Sequence, residues 1–230
     1  LVIRNKRFEK ILGPGAYWIY TLFQGCEFVR DHIGGPVFVS EWADFLVNQR
    51  PEVVAEHFTL VETMDSQVAV VYYDGRLVRV IAPGKRVLYW KGAVTVTYSV
   101  VDVREAPEVP SEMVEPLSRL GREALMTPVM VDEGKRGLLY LNGCFVRQLG
   151  PGAYGFWSAV LAPRVDIVET RLQTLDVPGQ EILTKDKVTV RVNVSAVYEV
   201  LNPVLARAGV KDVNEHLYRT LQIAVRQTLG

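Results

Sequence analysis

The chain contains no run of eighteen apolar residues, so no segment reads as a helix crossing a bilayer. It is also poor in cysteine. Cys26 and Cys144 are too few for a disulfide framework, and too few for structural zinc without histidine help. Two reduced thiols are the expectation. Net charge is missing as well: 26 basic residues balance 26 acidic ones, which argues against broad binding to nucleic acid or anionic lipid. No nucleic-acid partner is expected.

Histidine is scarce too. His32, His57 and His216 are the only imidazoles, and none lies in a Gly-x-Ser-x-Gly, His-Glu-x-x-His or Cys-His context. His57 follows Glu56, but no second histidine comes four residues later. Glu62 with Asp65 reads as solvation of a strand end rather than an acid/base pair. The Gly-Pro-Gly sequences lack the glycine spacing, the lysine and the following helix that phosphate binding needs. No catalytic, cofactor-binding or metal-ligating residue is therefore assigned, and no cofactor. No signal peptide is visible. The chain opens on Leu1 and closes on Gly230 after a helical pattern, so it is read as a piece of a longer protein.

What is present is ample core material, with 49% hydrophobic and 23% charged residues over a length suited to one or two domains. One pattern occurs three times: Arg4 to Gly15, Tyr73 to Gly84 and Leu141 to Gly152. The prolines Pro14, Pro83 and Pro151 are spaced by 69 and 68 residues. In each copy an apolar run meets Asn5-Lys6, Asp74-Gly75 or Asn142-Gly143, pairs that tolerate the positive φ of a tight hairpin turn. A strand carrying Lys10, Arg79 or Arg147 follows, then a Pro-Gly turn. A third strand is then rich in aromatics: Tyr17, Trp18 and Tyr20; Tyr89 and Trp90; Tyr154, Phe156 and Trp157. These aromatics are expected to fill a small β core; a sticky edge for lipid headgroups or a partner is the alternative.

Elsewhere, Ser40 to His57 has helical character, with Ser40 as cap and Pro51 starting a second short helix. Three prolines among acids between Pro107 and Pro116 have linker composition, and a short helix is expected from Pro116 to about Met126. Val165 to Leu172 reads as a strand. Lys187 to Val200 alternates for fourteen residues, a long half-buried strand with Lys185-Asp186 as the turn before it. Pro203 to Ala208 can form a turn or two of helix. Asp212 then caps a clear helix, with Glu215 completing a capping box and Val213, Leu217, Leu221, Ala224, Val225 and Leu229 on one stripe.

The segment from Leu175 to Val190, with Asp176-Val177-Pro178-Gly179-Gln180-Glu181 and Thr184-Lys185-Asp186 ahead of the valine strand, closely resembles the signature of the stomatin/prohibitin/flotillin (SPFH, band 7) family. Tyr198-Glu199-Val200 before Asn202-Pro203 looks like the end of that strand. Asn142-Gly143 to Pro151-Gly152 looks like the family's opening hairpin. The match covers about residues 131–230 and is closest to the slipin, or stomatin-like, branch. Residues 1–128 stand where a typical stomatin carries its membrane-inserted segment, and the usual C-terminal coiled coil is not visible.

The expected fold is α+β: an SPFH/band 7-type, mainly antiparallel sheet with a flanking helix, preceded by a β-rich N-terminal region built of two related hairpin units. Residues 1–110 form that region with its helical insert, 111–128 a linker with a short helix, and 129–230 the band 7 domain, truncated at its C-terminal end. The resemblance implies a non-catalytic, membrane-associated oligomeric scaffold that organises or regulates membrane proteins, a membrane-bound protease being one candidate partner. Self-association, and membrane contact through segments outside this chain, follow from the same resemblance. So does a place at the cytoplasmic face of a bacterial inner membrane or its equivalent. A soluble ligand-binding β module is the alternative, with a hydrolase third.

Overall fold

The computed structural model describes residues 1–13, 15–19, 25–30, 35–92, 94–184 and 187–229. The expected turn at Lys185-Asp186, Pro14 of the first Pro-Gly, Tyr20, His32 and Gly230 lie outside the described residues. The chain forms two compact units, Leu1–Pro107 with Glu115–Met126, and Glu108–Val114 with Thr127–Gly230.

In the first unit, β1 (Val2–Arg4) and β2 (Arg7–Lys10) form a hairpin, and β3 (Cys26–Phe28) lines the other side of β1. Next come β4 (Val37–Phe38), α1 (Ala43–Gln49), α2 (Pro51–His57), β5 (Phe58–Glu62), β6 (Gln67–Tyr73), β7 (Arg76–Ile81), β8 (Arg86–Trp90) and β9 (Val96–Asp102). They pair as β4-β8-β5 and β7-β6-β9, all antiparallel. Phe8, Phe38, Leu46, Val54, Phe58 and Leu88 form one core cluster; Val61, Ala69, Val71, Ile81 and Tyr89 form another.

In chain order α3 (Ser111–Ser118) and a 3-10 turn, Gly121–Ala124, follow β9. The second unit contains β10 (Met126–Val131), β11 (Lys135–Leu141), β12 (Cys144–Leu149), β13 (Gly152–Trp157) and β14 (Pro163–Glu169). They pair as β10-β13 and β12-β11-β14 around Val131, Leu139, Leu149 and Phe156. The two-stranded ribbon β15 (Gln173–Leu183) and β16 (Thr189–Tyr198) follows, then α4 (Pro203–Gly209) and α5 (Val213–Leu229), which lies against β15.

The hairpin of the threefold sequence repeat recurs in the structure. Across the second hairpin Ala69 faces Ile81 and Tyr72 faces Leu77, with a register shift after Val71. Across the third, Gly137 faces Leu149 and Tyr140 faces Phe145, with the shift after Leu139. The first has the same shift, after Val2. Asn5, Asp74 and Asn142 all sit near φ 50°. Their N–H groups donate to Gly25, Thr95 and Ala162, each just ahead of the strand that flanks the hairpin. Asp74 Oδ1 and Asn142 Oδ1 also accept from the N–H of Thr95 and Ala162, at 2.9 Å each. An Asx residue thus closes the hairpin and starts the next strand at once, which explains the type of residue at this place.

The structure corrects several local expectations. Residues 15–19 of the first copy form no strand, and Trp18 is fully exposed. The helix expected from Pro116 starts earlier, at Ser111, and carries Pro116 inside it. Burial of Val114 and Leu117 outweighs the donor that Pro116 removes. Ser40 does not cap α1: its Oγ accepts from Trp42 N at 3.2 Å, tightening the turn before the helix, whose N-cap is Trp42. The first strand after the third repeat ends at Glu169, short of Leu172. At α5, Asp212 Oδ1 accepts from the N–H groups of Asn214 and Glu215, but Glu215 pairs with Arg219 instead of returning to Asp212. The capping box is therefore half made.

Candidate interaction surfaces

The long strand β16 alternates as its sequence demands, with Val190, Val192, Val194, Ala196 and Tyr198 half-buried and their neighbours exposed. Its partner β15 carries Asp176 to Glu181, with a bulge between Val177 and Gln180 where Pro178-Gly179 leaves the ladder. A proline lacks the donor a ladder needs, and Gly179, at φ 61°, supplies the left-handed turn. Asn193 Oδ1 accepts from Gly179 N at 2.8 Å, replacing the interrupted ladder bond. Among the described residues the ribbon has no third strand, so the outward edges of β15 and β16 keep unpaired backbone groups.

A second open edge is β12. It is the outer strand of β12-β11-β14, and every residue from Cys144 to Gln148 is exposed, Phe145 by 44% and Val146 by 49%. At the position of Phe145 the other copies carry Phe8, buried, and Leu77, half-buried. Phe8 of β2 is buried among Leu46, Val54 and Phe58, with its ring 6.3 Å from that of Phe45. Strand β7 lies against the 3-10 turn and is mostly half-buried or buried. Sequence reasoning missed the β12 surface. Its trace was there in Cys144-Phe145-Val146, three apolar residues in a row where a half-buried strand should alternate.

The described imidazoles, His57 and His216, do not converge on other reactive groups. His57 Nε2 is 3.8 Å from the neighbouring Glu56 carboxylate, and His216 is exposed on α5, its carbonyl accepting from Thr220. Glu62 pairs with Arg86 at 2.7 Å rather than with Asp65. Among the described residues no group of His, Cys, Asp and Glu is placed to hold a metal ion. Both cysteines are free thiols, Cys144 exposed and Cys26 half-buried. The largest carboxylate shift belongs to Glu169: hydrogen bonds from the Arg171 side chain and backbone hold it down at about 2. At Asp102 the Ser66 hydroxyl, with the Arg104 N–H, lowers the carboxyl in the same direction. Burial pushes Tyr89 up to about 12 and Tyr73 in the same direction. These are structural contacts at strand ends and in the core. No described helix is long and apolar enough to cross a membrane.

Residues 129–230 match the family model described as SPFH domain / Band 7 family. A stomatin homolog of Pyrococcus horikoshii is 36% identical over 101 residues, 44% of this chain and 37% of that protein. Stomatin-like protein 3 of Homo sapiens is 34% identical over 104 residues, 44% of this chain and 35% of that protein. A Band 7 protein of Drosophila melanogaster is 34% identical over 104 residues, covering 20% of its length. The match thus spans little more than a third of the stomatin relatives, and it lies on the unit that holds β12 and the β15–β16 ribbon. Over residues 129–230, this chain is similar to the SPFH domain / Band 7 family.

Proposed function

We propose that the chain is part of a non-catalytic, membrane-associated oligomeric scaffold that organises or regulates membrane proteins, with a membrane-bound protease as a candidate client. The setting is the cytoplasmic face of a bacterial inner membrane or its equivalent. The SPFH domain / Band 7 match of residues 129–230 and the stomatin names of the relatives support this reading. The observation that carries it is the open β12 edge with Phe145 and Val146 exposed, where the residues matching Phe145 in the other copies are the buried Phe8 and the half-buried Leu77. Such an edge offers backbone donors and acceptors together with Phe145 and Val146 for self-association.

The full-length protein should pellet with membranes and, after detergent extraction, elute far above its monomer mass. Val146→Asp should reduce that mass while leaving the circular dichroism spectrum unchanged, because Val146 is half exposed. A monomeric full-length protein in the soluble fraction would reject the scaffold. An unaltered assembly in the Val146→Asp variant would reject β12 as its contact.

A further inference from the structure

The second and third repeats carry an arginine at the same place. Arg79 faces Val71 across its hairpin, and Arg147 faces Leu139, each just before the register shift. Their surroundings differ in the partner offered to the guanidinium. Arg147 donates to the Glu108 carboxylate, and Glu108 is held there by a β-bridge to Phe156 of β13. The corresponding bridge in the second repeat joins Leu88 of β8 to Phe38, which is buried in the core and has no charge to offer. Among the described residues the Arg79 guanidinium makes neither an ion pair nor a hydrogen bond.

The space around Arg79 is open. A groove of about 360 Å³ runs from Arg79 along Phe38, Val39 and Ser40. A second, of about 640 Å³, runs from Arg79 past Tyr73 and Lys85. Arg86 and Val87 line both. Arg86 is occupied by Glu62 at 2.7 Å and Asn48 at 3.3 Å, whereas the Lys85 ammonium has no partner among the described residues. Asp44 lines the first groove and Glu123 the second, and neither lies within ion-pair distance of Arg79 or Lys85. Beside Arg79 lie the Tyr73 and Tyr89 side chains, Tyr89 buried. A half-buried guanidinium without a counter-ion invites one.

We propose that the groove at Arg79 binds a phosphate monoester group, with the Arg79 fork taking two of its oxygens and Lys85 supplying the second positive charge. Charge matching favours phosphate over carboxylate. In the third repeat one arginine meets one carboxylate, but here two cations stand unmatched, and a phosphate monoester carries about −1.5 to −2 at neutral pH. The phosphate can belong to a soluble phosphorylated compound or to a lipid headgroup.

The test uses the whole chain, labelled with nitrogen-15 and titrated with inorganic phosphate, alongside co-sedimentation with vesicles of phosphatidylcholine with or without phosphatidic acid. Wild type should give saturable amide shifts confined to β7, β8 and the β4 neighbourhood. Arg79→Gln should bind about tenfold more weakly or worse. Val39→Glu should do the same by bringing a carboxylate to Arg79, as Glu108 does for Arg147. Val39 is 85% exposed, so this change spares the core. Arg147→Gln should leave phosphate binding unchanged. Binding of phosphate with no response to phosphatidic acid assigns a soluble ligand; Arg79-dependent co-sedimentation assigns a headgroup. No saturable response to either probe, or equal affinity in Arg79→Gln, overturns the proposal. Lys85→Gln replaces Arg79→Gln if the latter unfolds.

Discussion

The second and third repeats share one plan and differ in what they leave open. Residues 58–102 and 126–169 have the same strand pairing, the same register shift and the same Asx turn. Yet the second half-buries most of its outer strand β7 and leaves its arginine without a counter-ion, while the third exposes β12 and neutralises its arginine with Glu108. Backbone pairing and turn geometry are therefore the common inheritance of the repeat. Edges and charges are where each copy is specialised. That separation can be tested by changing matched positions and asking whether the copies respond alike.

The largest effect should come from the aromatics that follow each Pro-Gly. Trp157 is 1% exposed in the third copy and its counterpart Tyr89 is fully buried in the second, whereas Trp18 of the first, four residues after its proline instead of six, is fully exposed. Trp157→Ala should cost about 3–5 kcal/mol. Trp18→Ala should change stability by no more than about 0.5 kcal/mol. Urea unfolding followed by circular dichroism measures both. A comparable loss in the two variants would show that the first copy has a core the exposure of Trp18 denies.

This contrast also marks what could be read from residue order. The hairpins were legible because Asn142-Gly143 and Asp74-Gly75 leave few options for the backbone, and because the spacing of the prolines is regular. The β16 alternation was legible because every second residue is valine or alanine, and the residues between are polar up to Val197. The SPFH half was legible through Asp176 to Glu181. The start of α3 was not, because a proline-rich composition hides two apolar residues, Val114 and Leu117, whose burial decides the helix. The expectation that the aromatics fill a core holds for the second and third copies and fails for Tyr17 and Trp18. Local composition is alike in all three; the difference lies in the fold around them. The β12 surface was missed because edge status depends on partners distant in sequence.

A smaller effect should come from a position where the copies differ by a single methyl. Ala69 is fully buried in β6, and its counterpart in β11 is Gly137. A Cβ on Gly137 would approach Val165 Cγ1 to 2.9 Å and Leu149 Cβ to 3.2 Å, so these packed side chains would have to shift. Gly137→Ala should destabilise by about 1–3 kcal/mol through overpacking, although the same change would help an open strand. Ala69→Gly should destabilise by about 1 kcal/mol. A stabilised Gly137→Ala variant would mean that the third core is as roomy as the second, and the two copies would then differ only at their surfaces.

The smallest effect concerns matched acids at the ends of β9 and β14. Asp102 faces Gln67 and Glu169 faces Lys135, and each carboxylate accepts from the N–H of the arginine two residues on. Glu169 gains two more bonds from the Arg171 side chain, at 2.8 and 2.9 Å, where Asp102 gains one from Ser66. A carboxyl held below its unfolded value stabilises the fold above that value, about 4.3 for glutamate, and the contribution is lost as pH falls towards the folded value of about 2. Stability of the wild type should therefore fall between roughly pH 4.5 and 2, and Glu169→Gln should flatten part of that slope. Asp102→Asn should flatten less of it, because fewer donors hold its charge. Carbon-13 titration of the side-chain carboxyls reads both groups directly, and Arg171→Gln should return Glu169 towards the ordinary range. If Glu169 stays near 2 without that guanidinium, the backbone N–H alone holds it there, and the two strand ends are equivalent after all.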